Sequence, residues 1–274
     1  MNDFVPFARL IQAIEPWRAH LVLVGGWAHR WYRFHEAAGQ PAYQPLTTKD
    51  TDLAFGNRAT LDGDIKRALA DAGFNEEFVG DFRPPAIHYT LGDDDAGFYA
   101  EFLTPLMGSG RKRSGEPDVT VAKAGIVAQK MRHLDLLLLS PWTLRIGPDQ
   151  GVPLRKPLDV QIVNPTSFIV QKLLIRHERR ADKRAQDVLY IHDTLELFGG
   201  ALPMLRELWT NAVQPALAPK RIRELFECIH ETFDAVDDVL REAARIPADR
   251  MLSADRMRAL CELGLAEILP SASD

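Results

Sequence analysis

A chain of 274 residues, 46% apolar and 26% charged, can bury a substantial core as one large domain or two modest ones. Its net charge of -5 excludes a global basic field aimed at nucleic acid or a membrane surface, so any such contact requires a local patch. Cys228 and Cys261 match no metal spacing and point to a reducing compartment. The opening "MNDFVPFARL" has no basic segment ahead of an apolar core, and no apolar run is long enough to span a bilayer, so the expected location is cytoplasmic.

In chain order, Phe4, Phe7, Leu10, Ile11, Ile14 and Trp17 recur at three- and four-residue intervals, which predicts an amphipathic helix over 4–18. Leu21–Val24 reads as a short buried strand ended by Gly25 and Gly26, with a helix over 27–35. The segment 37–48 holds two prolines and a glycine and reads as a loop. A strand over 51–55 and a helix over 60–72 follow, then strands at 86–91 and 97–103 joined by the acidic turn "GDDDA". Residues 107–118 form a Gly- and charge-rich loop. "HLDLLLLS" (133–140) and "PLDVQIV" (157–163) read as further strands. Beyond Pro165 the spacing is helical over 165–178, 182–198, 202–214 and 220–243. The stripe from Ile222 to Leu240 is core packing. The expected architecture is α+β, a mixed sheet with flanking helices in 1–163 and a helical region in 164–274.

Three acids stand out. Asp50 and Asp52 lie two apart at the start of a strand, so their side chains share one face, roughly 7 Å apart along the backbone. Carboxylates held this way repel unless a cation sits between them, and Mg²⁺ prefers such oxygens. Glu101 interrupts the apolar "FYAEFL" and is either a solvated edge residue or a polar-site ligand. Asp135 and Asp159 are weaker rivals at strand starts. Gly25-Gly26 after an apolar run is either a tight turn or a close approach of backbone to a ligand.

Taken in order, "LVLVGGWA", "TKDTDLAF" and "AEFLTPL" resemble the three motifs of the DNA polymerase β-type nucleotidyltransferase superfamily. The finer resemblance is to bacterial branches near the AbiEii-like toxin nucleotidyltransferases, whose distal "P…K-L…R…D" pattern is similar to Pro165, Lys172, Arg180, Arg184 and Asp187 here. The resemblance spans roughly residues 20–195. It implies a catalytic domain over 1–163 and a helical domain over 164–274 that completes the nucleotide and acceptor cleft. It also implies transfer of a nucleotide from a nucleoside triphosphate to a hydroxyl, with Mg²⁺ or Mn²⁺ held by Asp50, Asp52 and Glu101. Gly25, Gly26 and the helix after them would approach the triphosphate, Thr48 would add a hydroxyl donor, and Lys172, Arg180, Arg184 and Asp187 would complete the nucleotide site.

The run "RHERRADKR" (Arg176–Arg184) carries five Arg/Lys against two acids. It is either a solvated helix face or a track for an RNA acceptor such as tRNA. The toxin resemblance further implies an antitoxin-type protein partner. Two alternatives stand beside the RNA reading. One is an enzyme that modifies a small molecule such as an antibiotic. The other is a catalytically silent binding module, favoured by Leu46 where many relatives carry arginine.

Overall fold

The computed structural model describes residues 3–80, 86–92 and 97–270. The chain divides into two compact units. The first contains residues up to Ala28 together with Thr47–Val163, and the second contains His29–Leu46 and the residues from Asn164 onward. Among the described residues, no helix is long and apolar enough to cross a membrane.

The first unit is built on a nine-stranded mixed sheet. Its strands are β1 (Val22–Val24), β2 (Asp50–Ala54), β3 (Asn75–Val79), β4 (Ala86–Leu91), β5 (Phe98–Pro105), β6 (Thr120–Lys123), β7 (Ile126–Met131), β8 (Trp142–Ile146) and β9 (Leu158–Ile162). The order across the sheet is β3-β4-β5-β2-β1-β9-β8, with β7 pairing to both β5 and β6. Central β2 runs antiparallel to β1 and parallel to β5. Its burial alternates as the sequence alternates: Thr51 and Leu53 are buried, while Asp50 and Asp52 face the other way and are half-buried. Helix α1 (Phe4–Ala13) buries Phe7, Leu10 and Ile11, and α2 (Gly25–Trp31) starts directly on Gly25. Trp27 stacks flat on Phe7 at 4.3 Å and meets Phe98 edge-on at 6.0 Å. This aromatic cluster fixes the start of α2 against the sheet.

Helix α3 is confined to Ile65–Asp71, where Asp64 caps it by accepting from the Arg67 amide. The stretch read as strand "HLDLLLLS" instead forms a one-turn helix, α4 (Leu134–Leu137), entered through His133 at φ +59°. A leucine run has no alternation, so its sequence does not separate a buried strand from a buried turn of helix. The acidic turn read at 92–96 falls largely outside the described residues.

The second unit holds α5 (Pro165–Leu174), α6 (Ala181–Leu197), α7 (Leu202–Leu208), α8 (Pro219–Phe233), α9 (Asp238–Arg245) and α10 (Ala254–Ile268). Asn164 caps α5 by accepting from the Ser167 amide, with Pro165 at the first helical position. The helix read over 220–243 breaks after Phe233 and restarts with Asp237 as cap. The loop before β2 is strapped down inside this unit. The Gly39 amide donates to Leu197, the Gln44 amide donates to Asp249, and the Arg250 guanidinium lies 3.3 Å over the Tyr43 ring.

Candidate active site

The glycines and the acids of the first unit meet at one place. Val24 lies opposite Asp52 across the β1–β2 ladder, and Asp52 lies opposite Glu101 across the β2–β5 ladder. Residues in register on neighbouring strands share a sheet face, so Asp52 and Glu101 project together, with Asp50 opposite Tyr99 one step along. Gly25 follows Val24 with φ +64°, a backbone angle that glycine adopts at little cost. A methyl group on Gly25 would overlap the Asp52 carboxylate. The first glycine of "GGWA" is therefore required twice, by its angle and by the acid that occupies the space beside it. Thr48 donates to the Asp50 carbonyl at 3.0 Å, which fixes the entry to β2.

Glu101 is not a solvated edge residue, because β5 lies inside the sheet between β2 and β4. Its side chain is 17% exposed, and both oxygens are bonded: His88 Nε2 is 2.9 Å from Oε1 and Gln129 Nε2 is 3.3 Å from Oε2. The bond to Glu101 raises the His88 pKa, against the opposing effect of burial. The Tyr99 phenol is also raised, first by burial and then by the fields of Asp50, Glu101 and Asp52. This face of the sheet is thus a region of negative potential. Nothing in the sequence flags His88 or Gln129, since both reach Glu101 only through strand pairing.

The distal residues belong to the second unit. Lys172 is only 6% exposed, and its Nζ bonds to Asp187 at 2.6 Å beneath the rings of Phe168 and Tyr190. Arg179 holds the other oxygen of Asp187 at 3.2 Å. Lys172 therefore neither extends to solvent nor stands alone. Arg184 is half-buried, and its Nε is buried with no hydrogen-bond partner. Within the basic run, Arg176 pairs with Glu231 at 2.8 Å, whereas Arg180 is 86% exposed beside Asp182. Much of the run's charge is thus already matched, and Arg180 and Lys183 remain on the surface.

One group of three ligand-type side chains among the described residues has all its ligand atoms within 4.8 Å: His192, Asp193 and Glu196. The three acids on the sheet are spread more widely. Arg250 bonds both oxygens of Asp193 at 2.5 and 2.6 Å and lies 3.7 Å from Glu196. Burial pushes the Asp193 carboxyl up, but the His192 bond, the field of His29 and the Arg250 bond outweigh it and hold the pKa down. The guanidinium already supplies the positive charge that a cation would bring.

A family model described as nucleotidyltransferase matches residues 2–214. No curated protein matches. Among solved structures, the chain is similar to an antigenic nucleotidyltransferase-like protein from Paracoccidioides brasiliensis, with 14% identity and a TM-score of 0.43, over 88% of this chain and 92% of that one.

Proposed function

Given that the chain belongs to this nucleotidyltransferase family, matched over residues 2–214, we propose that it moves a nucleotide from a nucleoside triphosphate onto a hydroxyl acceptor, using Asp50, Asp52 and Glu101. The observation that carries this reading is the contact of Gly25 with Asp52, beside the pairing of Asp52 with Glu101. Three motifs separated in sequence supply one acidic sheet face bordered by a glycine.

The donor set fits a hard divalent cation: half-exposed carboxylates whose fields add to burial in raising the Tyr99 phenol. Asp50 and Asp52 would hold Mg²⁺ or Mn²⁺, with Glu101 beside them. When bound, such an ion neutralises phosphate charge and lowers the pKa of the attacking hydroxyl. Gly25 makes room for the Asp52 carboxylate, Gly26 and the first amides of α2 would approach the triphosphate, and Thr48 keeps Asp50 in place. The acceptor oxygen attacks the α-phosphorus as the bond to the departing pyrophosphate breaks. The acceptor's proton passes to a Glu101 oxygen, which keeps a lone pair beyond the one bonded to its neighbour.

Lys172 and Asp187 form an internal ion pair of the second unit. For the acceptor, the exposed Arg180 and Lys183 support RNA, in a toxin-like role with an antitoxin-type partner. The test incubates the protein with Mg²⁺ and α-labelled triphosphates, and separately with total RNA, protein extract and aminoglycoside-type small molecules. Label on RNA, lost in Asp50→Asn/Asp52→Asn, is the expected result. Label on small molecules alone moves the acceptor class, and no label on any acceptor removes the transferase reading.

A further inference from the structure

The third acid of the proposed site does not hang freely from its strand. Glu101 is bracketed by donors from two other strands, His88 on β4 and Gln129 on β7, each bonded to a different carboxylate oxygen at 2.9 and 3.3 Å. A carboxylate accepts only, so His88 must present Nε2–H toward Glu101. The imidazole is itself held, lying stacked on Tyr99 with centroids 4.4 Å apart and planes at 14°. Tyr99 sits two residues before Glu101 on β5, on the same sheet face and opposite Asp50. The charged and titratable groups around the imidazole are Glu101 and Tyr99 on β5, Glu77 opposite it on β3, and the field of Asp50 on β2.

We propose that His88 and Gln129 are positioning residues that lock the rotation of the Glu101 carboxylate and aim its remaining lone pairs along the sheet face toward Asp52. This rests on the nucleotidyltransferase reading above. An unrestrained glutamate has three side-chain torsions, and repulsion from Asp50 and Asp52 favours rotamers that turn it away. Two bonds, both from strands on the edge of β5 that faces away from β2, remove that freedom before substrate arrives. The benefit falls on the chemical step, where alignment of the proton acceptor counts, and not on triphosphate binding. His88 does this through its Nε2 donor, and its stack on Tyr99 keeps the ring in the plane that makes the bond.

The experiment uses the full chain, Mg²⁺ and α-labelled triphosphate, with water as acceptor, and reads pyrophosphate release. His88→Phe keeps a ring on Tyr99 and deletes the donor, His88→Gln restores a donor, and Gln129→Leu removes the second bond. The expected result is a maximal rate roughly 10–100-fold lower in His88→Phe, with KM for triphosphate within about twofold. His88→Gln should regain most of the rate, and Gln129→Leu should lose less than His88→Phe. If His88→Phe fails to fold, the loss in Gln129→Leu at unchanged KM decides the matter. Wild-type rates in both His88→Phe and Gln129→Leu overturn the proposal while leaving the transferase reading intact. Equal losses in His88→Phe and His88→Gln, matched by equal drops in melting temperature, also overturn it by making the role structural. A wild-type protein that neither binds triphosphate with Mn²⁺ nor releases pyrophosphate removes the underlying reading, and the positioning with it.

Discussion

On the sheet of the first unit, Asp50, Asp52 and Glu101 share one face at intermediate exposure, whereas in the second unit Asp187 and Asp193 are sunk in the helical core and matched to cations. The second arrangement is self-contained: Lys172 and Arg179 neutralise Asp187, and Arg250 neutralises Asp193. In the first, Glu101 is held by His88 and Gln129, and burial together with the fields of Asp50, Glu101 and Asp52 raises Tyr99. On the function proposed above, side chains of the same type serve a ligand in one region and the fold in the other. The difference teaches how to read an aspartate here: the question is what faces it, and an acid in a motif carries no role until that is known.

The comparison breaks first at the acids of the sheet. Asp50→Asn with Asp52→Asn should lower nucleotidyl transfer by roughly a thousandfold, the size seen when a preorganised electrostatic group is lost. The melting temperature should hold or rise, because like charges on one face no longer repel. Steady-state rates and thermal melts on the same preparations check both parts. A fall in melting temperature with retained transfer would make these acids structural, like those of the second unit.

The converse substitution is Lys172→Ala. It leaves Asp187 buried with Arg179 as its remaining partner, and breaking a buried pair this way costs about 3–5 kcal/mol. Lys172→Met, which fills the same volume beneath Phe168 and Tyr190, should cost no less, because the Asp187 charge stays. Lys172→Met with Asp187→Leu should recover much of the loss. Urea unfolding reads all three variants. Stability unchanged in Lys172→Ala, with weakened triphosphate binding, would move Lys172 to the ligand side of the comparison.

How much of this was legible depends on whether the signal was local. The helical half, the β1 strand before Gly25 and the aspartates of β2 are written in short-range spacing, and the structure has a strand and helices there. Strands β3, β6, β7 and β8 carry no such local signal. "NEEFV" is mostly exposed, and β6 and β7 mix polar with apolar residues, so their alternation is weak. Helix α10 starts from the Ser253 cap, beyond the helical spacing expected over 220–243. The partners of Glu101 lie 13 and 28 positions away, and that of Lys172 lies 15 away. Such pairings exist only once the chain is folded. Motif resemblance located acids, while strand register and helix packing determined what each acid meets.

A smaller effect concerns His29, the neutral group in the otherwise ionic core of the second unit. Both ring nitrogens are buried with no hydrogen-bond partner, among the rings of Tyr32, Phe168 and Tyr190. Burial lowers its pKa to about 4; Asp193 opposes this, while Lys172, Arg33 and Arg250 add to it. The folded value lies below the unfolded one, so the unfolded chain takes up the proton first. Stability is full above about pH 6.5 and is lost as pH falls toward about 4, by roughly 3 kcal/mol for this group. His29→Phe should flatten that acid limb relative to wild type and raise stability at neutral pH, as read by urea midpoints across pH 4–7. Parallel pH profiles for the two proteins would show that the imidazole is solvated.

The smallest expected effect on stability tests the surface cations. Arg180 is 86% exposed beside a 61% exposed Asp182, and Lys183 is exposed on the first turn of α6. An exposed pair of this kind contributes little, so Arg180→Gln with Lys183→Gln should change stability by no more than about 0.5–1 kcal/mol. Arg179 is left intact because it holds Asp187. The informative readout is RNA binding across salt. Each cation that neutralises a phosphate releases condensed counterions, so removing two should reduce the slope of log affinity against log salt by about 1.4 for a single strand. Triphosphate affinity through the acids of the sheet should stay constant. An unchanged salt slope would make the basic run a solvated helix face, with its charge spent on Glu231, Asp187 and Asp182.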